Sequence, residues 1–344
     1  MFKKWTAIVL ILVLLLSSGC SQKPAEQPEN EVPEGTQTQE LQKPATSLNP
    51  LTGVYETEGI ANIRPVAVMI NNDVRAQNAQ AGLPEADIIY ETEIEGGETR
   101  LMAVFQDVEK VQNIGTIRSA RIPYIDLAQG HQAVYIHRGG DAASVLPYLS
   151  QFDRIDVHEG NYGERLDNGL ALEHTLYTHG PALWQGITSK FTTTLENVQP
   201  WQNFAKEDET VTLSGGAANK VAVAFSGNFK SVFVYDSATG LYERNFKNTV
   251  PTEYFTKEST KVKNVVVCLA NIYTHANGAH RMIPWGSGEG YYITNGGYQA
   301  IKWSKADANA PLKFTNADGT PLTMSAGNTW VCFSSSQYSV PTFE

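Results

Sequence analysis

The apolar and polar positions of the chain follow two patterns, and the change between them falls near residue 210. Before that point, short continuous apolar runs such as residues 64–72 (RPVAVMINN) alternate with helix-like segments. Continuous runs of this length are typical of strands that are buried on both faces of a sheet. From Lys220 onward, short alternating strands follow one another between Gly, Asn and Asp turns. The pattern predicts an α+β protein, in which an N-terminal α/β domain with a mixed sheet (residues 51–210) precedes a smaller, mainly β domain (residues 218–344).

Residues 114–144 predict a strand, a basic turn, a helix, a second strand, a glycine turn and a second helix. Pro123 fits only the first turn of a helix, because it lacks an amide hydrogen and its ring clashes with a preceding turn. The first helix should therefore start between residues 119 and 122, and we expect Gly130 to end it in a left-handed conformation. Residues 133–137 (AVYIH) are the next apolar run, and we expect Asp141 to cap the second helix.

Basic and polar side chains gather around the start of the first predicted helix, where free backbone N–H groups favour an anion. The strand after this helix ends at His137, on the edge where open α/β sheets usually bind ligands, and we expect Asn71 to reach the same edge. The predicted anion-binding residues are Arg118, Ser119, Arg121, His137, Arg100 and Asn71. In the alternative, the arginines form internal salt bridges with Glu91 or Glu93.

Residues 87–106 predict a β-hairpin with a two-residue Gly96–Gly97 loop. That loop would place Glu93 opposite Arg100, with Glu91, Glu93 and Glu95 on one face. A row of carboxylates can bind a hard cation or share protons in catalysis. The sequence favours a solvated face in which Arg100 offsets Glu93, and it predicts no metal site and no bound cofactor.

Residues 153–181 are rich in groups that donate or accept protons, and His174 is the candidate general acid or base among them. No GxSxG motif accompanies these residues, so nothing in the pattern points to an activated serine nucleophile. The favoured interpretation is a long connection whose polar side chains bond to backbone groups, and no catalytic residue is predicted.

The chain start has the composition of a secretory signal, with Lys3 and Lys4 before the uncharged run 6–16 and small residues before Cys20. The segment 17–20 (SSGC) resembles the lipobox of bacterial lipoproteins, in which the cysteine receives lipid, so residues 1–20 predict a lipoprotein signal peptide and Cys20 the lipidation site. The alternative is an ordinary secretion signal with an incidental cysteine. Residues 21–50 hold five prolines and no aromatic residue, which predicts a disordered tether.

Net charge and cysteine content narrow the function classes further. The formal net charge is −10 for the full chain and −9 for residues 51–344, which argues against nucleic-acid binding. An acidic surface is also repelled by an anionic bilayer, so the lipid must supply membrane attachment.

Residues 51–344 are long enough for two hydrophobic cores. Cys268 and Cys332 are expected as buried thiols, and a disulfide between them stays open.

Several motifs together resemble the YerB-like family of Gram-positive lipoproteins, which is described largely as domains of unknown function. The N-terminal motifs are RPVAVMINN (64–72), ADIIYE (86–91), Gly96–Gly97 with Thr99–Arg100, IRSAR (117–121), and His137 with Gly139–Gly140. The C-terminal motifs are Gly296–Gly297 before WSK (303–305), Asp318–Gly319 and GNTW (327–330). Around His174 relatives tend to read APHNLYTS, whereas this chain reads LEHTLYTH (172–179). The resemblance implies a two-domain lipoprotein outside the membrane and brings no established reaction.

The sequence thus predicts a lipid-anchored protein on the extracytoplasmic face of the cell membrane, which binds an anionic cell-envelope component or a wall-assembly protein. The alternatives are an enzyme acting on phosphate-bearing wall polymers or lipid intermediates, and a scaffold without a ligand pocket. The enzyme would need a carboxylate-bound divalent ion beside Arg118, supplied by Glu91, Glu93 or Asp141. The scaffold would need an exposed apolar patch on the β domain.

Overall fold

The computed structural model describes residues 46–276, 278, 280–337 and 341–344. The predicted signal peptide, Cys20 and tether residues 21–45 lie outside the described residues. The described residues belong to one compact unit. Residues 46–50, predicted as part of the tether, belong to this unit, because Thr46–Leu48 pairs with Tyr55–Thr57 as a strand.

The regular elements comprise three helices and many short strands. The helices are α1 (Ile122–Gly130), α2 (Val145–Leu149) and α3 (Gly180–Thr188). The strands of the N-terminal half are β1 (Thr46–Leu48), β2 (Tyr55–Thr57), β3 (Val66–Ile70), β4 (Ile88–Glu93), β5 (Thr99–Phe105), β6 (Ile114–Gly115), β7 (Val134–His137), β8 (Arg154–Asp156), β9 (His158–Glu159), β10 (Tyr162–Arg165), β11 (Leu176–Thr178) and β12 (Asn203–Phe204). The strands of the C-terminal half are β13 (Lys220–Ala224), β14 (Lys230–Asp236), β15 (Leu241–Phe246), β16 (Lys261–Val262), β17 (Asn264–Ala270), β18 (Tyr273–Thr274), β19 (Arg281–Met282), β20 (Gly286–Thr294), β21 (Gly297–Lys305), β22 (Lys313–Asn316), β23 (Thr323–Met324), β24 (Thr329–Ser335) and β25 (Thr342–Phe343). Short 3-10 turns occupy Ile60–Asn62, Val74–Ala79, Glu95–Gly97, Val108–Lys110 and Leu172–His174.

One ten-stranded mixed sheet runs through both halves, in the order β22-β21-β20-β17-β24-β4-β5-β3-β7-β8. A five-stranded sheet (β16-β15-β14-β13-β25) and a four-stranded sheet (β6-β11-β10-β9) complete the main architecture. The predicted fold class, α+β with a mainly β C-terminal half, is confirmed. The strand β3 lies between β5 and β7, as expected for a central strand.

The described residues form two hydrophobic core clusters, and both halves of the chain contribute to each of them. Strand β4 of the N-terminal half pairs in parallel with β24 of the C-terminal half. Alternate residues of β3 belong to different clusters: Val66, Val68 and Ile70 lie in one, and Ala67 and Met69 lie in the other. This two-sided burial explains why β3 reads as a continuous apolar run.

A buried polar network also joins the halves at Glu91. Its carboxylate is fully buried and accepts hydrogen bonds from Asn72 and Thr99 on one side and from Ser231 and Trp330 on the other. Burial raises the pKa of Glu91, and the charge of Arg244 partly offsets that effect. Each hydrogen bond offsets part of the free-energy cost of burying this carboxylate. Because the donors come from both halves of the chain, the network favours their association.

The hairpin 87–106 forms, but its register and environment differ from the prediction. The loop is the three-residue turn Glu95–Gly97, and Thr92, not Glu93, lies opposite Arg100. A shift of one residue moves a side chain to the other face, so Arg100 lies on the face opposite Glu91 and Glu93. The expected solvated carboxylate face is wrong as well, because Glu91 and Glu93 are buried and Glu93 pairs with Arg281.

Candidate functional site

The arginine-bearing loop before α1 is held between the ends of two strands. Arg118 N donates to the Met69 carbonyl at the end of β3, and the Arg118 carbonyl accepts from Arg138 N after β7. Ala120 N donates to the Gly139 carbonyl, which fixes the loop against the glycine turn. The predicted helix is confirmed as α1, with Pro123 in its first turn. Gly130 is its last residue, and the left-handed conformation falls instead on Gln132.

Two of the predicted residues line a cavity of about 160 Å³ at this edge of the sheet. They are Arg118 and Ser119, and they share the cavity with Ile117, Arg138, Arg165, Glu173 and Leu176. Arg138 pairs with Asp156, and Arg165 pairs with Glu159. Three guanidinium groups therefore surround a space large enough for a phosphate group.

Arg118 forms no ion pair within 4 Å in the described part of the chain. Its Nη1 donates to the Glu173 carbonyl at 3.0 Å and lies 3.4 Å from His174 Nδ1. Burial lowers the pKa of Arg118, while Glu173 and Asp73 act in the opposite direction. The guanidinium stays charged at neutral pH, because its ordinary pKa is far higher. Arg118 is thus a cation whose charge no nearby carboxylate neutralises directly.

Arg100 is a second arginine without a carboxylate partner among the described residues. It is 5 % exposed, its Nη1 donates to the Ser119 carbonyl, and its Nε is buried without a partner. Burial, with the repulsion of Arg121 and Arg118, lowers the pKa of Arg100 to about 9. Arg100 does not line the cavity. Its hydrogen bond holds the Ser119 carbonyl, and its guanidinium adds positive charge next to Ser119.

Arg121 differs from both of these residues because Glu95 neutralises it. The Glu95 carboxylate receives hydrogen bonds from Nε and Nη2 of Arg121 and also contacts His280 Nδ1. The predicted internal salt bridge therefore exists for Arg121, but its partner is Glu95 and not Glu91 or Glu93. Arg121 does not line the cavity.

Asn71 is bonded to His174 behind Arg118. The Asn71 Oδ1 accepts from Asp73 N, which directs Nδ2 toward His174 Nδ1 at 2.7 Å. Because Asn71 and Arg118 both present donors to Nδ1, that nitrogen accepts and Nε2 carries the hydrogen of a neutral imidazole. Burial lowers the pKa of His174, in agreement with a neutral ring. The Nε2 atom is buried without a hydrogen-bond partner, and Glu173 Oε1 lies 3.8 Å away.

His137 has a structural position rather than one in the cavity wall. Its Nδ1 donates to the Gly139 carbonyl at 2.8 Å, and its ring stacks on Tyr135. Its Nε2 is buried without a partner. The bond to Gly139 holds the turn that also contacts Ala120, so His137 acts on the cavity through the backbone.

The comparisons with known proteins identify the family. Residues 51–194 match the family described as "Protein of unknown function (DUF3048) N-terminal domain", and residues 221–331 match its C-terminal domain. The chain belongs to the DUF3048 family. A Bacillus subtilis (strain 168) protein named "Putative lipoprotein YerB" is 25% identical to this chain over 342 residues. The matched region covers 96% of this chain and 95% of that protein. The crystal structure of YerB from Bacillus subtilis has a similar fold, with a TM-score of 0.71 at 23% identity over 83% of this chain and 95% of that one.

Membership of the DUF3048 family confirms the resemblance seen in the sequence motifs. Of those motifs, IRSAR (117–121) forms the cavity loop, and RPVAVMINN (64–72) contains β3 and reaches Asn71. Three polar residues of the cavity, Arg138, Arg165 and Glu173, are not among the predicted anion-binding residues. Arg165 lies on β10, and no local pattern separates Arg165 or Glu173 from the other polar residues of 153–181.

Three further expectations concern residues away from the cavity. The free thiols of Cys268 and Cys332 are buried in different core clusters on opposite faces of the sheet, so they form no disulfide here. The predicted cap at Asp141 is wrong, because the N-cap of α2 is Ser144; Asp141 accepts hydrogen bonds from the backbone N–H and hydroxyl of Ser144. Among the helices of the described residues, none is both long and apolar enough to cross a membrane.

Proposed function

We propose that this DUF3048 protein is a lipid-anchored, extracytoplasmic binding protein whose ligand carries a phosphate or another compact anion. The observation that carries the proposal is Arg118, a partly buried cation without an ion pair that lines a cavity with Arg138 and Arg165. Arginine suits this role because its planar guanidinium binds phosphate oxygens through two parallel N–H groups. Ser119 and the neutral His174 add uncharged donors close to the same cavity.

The size of the cavity limits what it holds. Drug-sized ligands usually occupy about 300–1,000 Å³, so a cavity of about 160 Å³ takes only the charged head of a larger molecule. An anionic cell-envelope component, such as a phosphate-bearing lipid intermediate or wall polymer, has this form, and so does an acidic segment of a wall-assembly protein. The remainder of the ligand would lie outside the cavity.

The alternative of a phosphate-transferring enzyme requires a carboxylate-bound divalent ion beside Arg118. The three predicted carboxylates do not line the cavity, because Glu91 belongs to the buried network, Glu93 pairs with Arg281, and Asp141 bonds to Ser144. Glu173 is the acidic residue of the cavity wall, and the described residues contain no group of three or more His, Cys, Asp or Glu that could hold a metal ion. We therefore favour binding over catalysis.

The experiment compares thermal unfolding of the full-length protein in detergent micelles with and without inorganic pyrophosphate. At about 100 times its dissociation constant, the ligand should stabilise the native state by about 2.7 kcal/mol. Arg118→Gln should abolish this stabilisation, whereas Lys302→Gln, which removes an exposed charge on β21, should retain it. Equal stabilisation of all three proteins would contradict the proposal.

The lipid anchor has its own test, which is independent of the cavity. Cys20→Ala should move the protein from the membrane fraction to the medium or leave an uncut precursor. The control Thr36→Ala, in the predicted tether, should be processed and retained normally. Membrane retention of a processed Cys20→Ala protein would rule out lipidation at this residue.

A further inference from the structure

A second and larger cavity, of about 360 Å³, lies at the opposite end of β3 from Arg118. Six segments form its walls, near residues 50, 64, 106, 131, 198 and 311, so both halves of the chain contribute. Pro65 lines this cavity just before β3, whereas Asn71 follows β3 beside Arg118. Six residues of strand separate these two positions by roughly 20 Å, and the two cavities are therefore distinct.

The polar groups of this second cavity are mostly carboxamides. Two charged residues line it, Glu196 and Lys313, and their charges are opposite. The carboxamides are those of Gln106, Gln132, Asn197, Gln199 and Asn309. Each carboxamide offers both a hydrogen-bond donor and an acceptor, which matches hydroxyl groups better than it matches an anion.

The aromatic groups of the cavity are uncharged and packed together. The ring of Trp201 lies 5.4 Å from that of His131, whose Nε2 is 2.7 Å from the Tyr90 hydroxyl. Burial lowers the pKa of His131 to about 3, so the imidazole is neutral at physiological pH. Four prolines, at positions 50, 65, 200 and 311, add further apolar surface.

Two buried polar atoms of the wall residues have no partner among the described residues. They are Trp201 Nε1, a donor, and Gln106 Oε1, an acceptor. The Gln106 orientation is determined, because its Nε2 donates to the Ile60 and Ile63 carbonyls. Unpaired buried polar atoms cost free energy, and one of each kind is compatible with a ligand that both donates and accepts.

We propose that this cavity binds a neutral saccharide. Ring hydroxyl or acetamido groups would bond to the carboxamides, and the C–H faces of the sugar ring would pack on Trp201 and the prolines. A purely apolar ligand would leave the carboxamides desolvated without partners, which is unfavourable. The charged lining residues are one cation and one carboxylate, Lys313 and Glu196, so the cavity has no excess of positive charge that would favour an anion.

The test measures binding of two neutral probes, triacetylchitotriose and maltotriose, by calorimetry. The full-length protein is held in a detergent without a sugar head group, so that the detergent cannot compete. At least one probe should bind, and Gln199→Ala and Asn309→Ala should each weaken that binding roughly two- to tenfold. Both side chains are exposed, so the melting temperature should not change. The control Asn228→Ala removes an exposed carboxamide elsewhere and should bind as the unsubstituted protein does.

Three results would overturn the saccharide site. They are the absence of binding by both probes, unchanged affinity in the Gln199→Ala/Asn309→Ala double variant, and loss of saccharide binding in Arg118→Gln. The last result would assign the saccharide to the anion cavity. Retained saccharide binding in Arg118→Gln, with loss of pyrophosphate stabilisation, would support two separate sites.

Discussion

Arg121 and Glu95 form a bidentate ion pair in which Nε and Nη2 of the guanidinium each lie 2.8 Å from a different carboxylate oxygen. The pair connects the start of α1 to the tip of the β4–β5 hairpin, and both side chains are largely buried. Arg118, only three residues earlier, has no such partner. Two arginines of one motif therefore have separate roles, one in stability and one in the proposed binding of an anion.

Arg121→Gln should lower the free energy of unfolding, because it removes the ion pair and the bidentate hydrogen bonds that Arg121 makes with the partly buried Glu95. Hydrogen bonds to charged groups contribute about 1.5–3 kcal/mol, and we expect a loss in that range. The control Arg138→Gln breaks an exposed pair, with side chains 43% and 41% exposed, and should cost less than about 1 kcal/mol. Urea unfolding of both variants at pH 7 measures the difference. Equal losses would mean that the Arg121 pair contributes no more than a surface pair.

Asn71→Asp should raise the pKa of His174. A carboxylate oxygen in place of Nδ2, at hydrogen-bond distance from Nδ1, would stabilise the imidazolium, whereas the amide stabilises the neutral ring. A pH titration of the His174 ring by NMR, assigned with a His174→Gln variant, measures the change. Asn228→Asp, far away in sequence on an exposed turn, should leave the His174 titration unaltered. An unchanged pKa in Asn71→Asp would show that residue 71 does not contact the His174 ring.

Asp87 should make the protein less stable as pH rises from about 4 to 7. Burial, together with the repulsion of Glu56 and Asp107, raises the pKa of Asp87 to about 7 despite hydrogen bonds from Gln106 N and Asn49. Since the folded state binds this proton more tightly than the unfolded chain, stability is highest below pH 4 for this group and is lost as the pH rises toward 7. A rise of about three in the pKa of Asp87 corresponds to a loss on the order of 4 kcal/mol.

Asp87→Asn removes this titration and should flatten the difference between urea unfolding at pH 4.5 and at pH 7.5. Any hydrogen bond lost to the amide is a constant offset at both pH values, so the comparison isolates the ionisation. Asp73 and Glu95, whose pKa values are held at about 2 by arginine partners, act only below about pH 4 and do not interfere. An unaltered pH dependence in Asp87→Asn would contradict the assignment.

Limited proteolysis should cut the connection between the halves without separating them. Residues 206–210 are exposed, whereas Gly215 and Gly216 bond to Tyr298 on both sides, so the nonspecific proteinase K should cut within 206–210 rather than at the two glycines. The fragments should stay together in size-exclusion chromatography, because β4 and β24 pair within one sheet. Dissociation of the fragments in native buffer would mean that the shared sheet contributes little to stability.

The sequence alone predicted the local elements well, for reasons that are local. Pro123 requires a first helical turn, and α1 begins at Ile122. Continuous apolar runs require burial on both faces, and β3 and β7 are buried throughout. The IRSAR motif predicted a basic loop at a sheet edge, and the edge holds Arg118 and Ser119 in one cavity. Each of these inferences depends on residues within a few positions of one another.

The tertiary structure decided which partner each charged residue has, because those partners lie far away in the sequence. Glu91 bonds to Trp330, 239 residues later, and Arg121 bonds to Glu95 across 26 residues. The hairpin loop is one residue longer than predicted, so Arg100 lies on the face of the sheet opposite Glu91 and Glu93. Neither the composition nor the periodicity of the sequence indicates this loop length. Parallel pairing of β4 with β24 joins both halves in one sheet, and each of the two core clusters contains residues of both halves. Local patterns determine which segments become strands and helices. Long-range packing determines register, neighbours and charge neutralisation, and it leaves Arg118 in the cavity wall without an ion pair among the described residues.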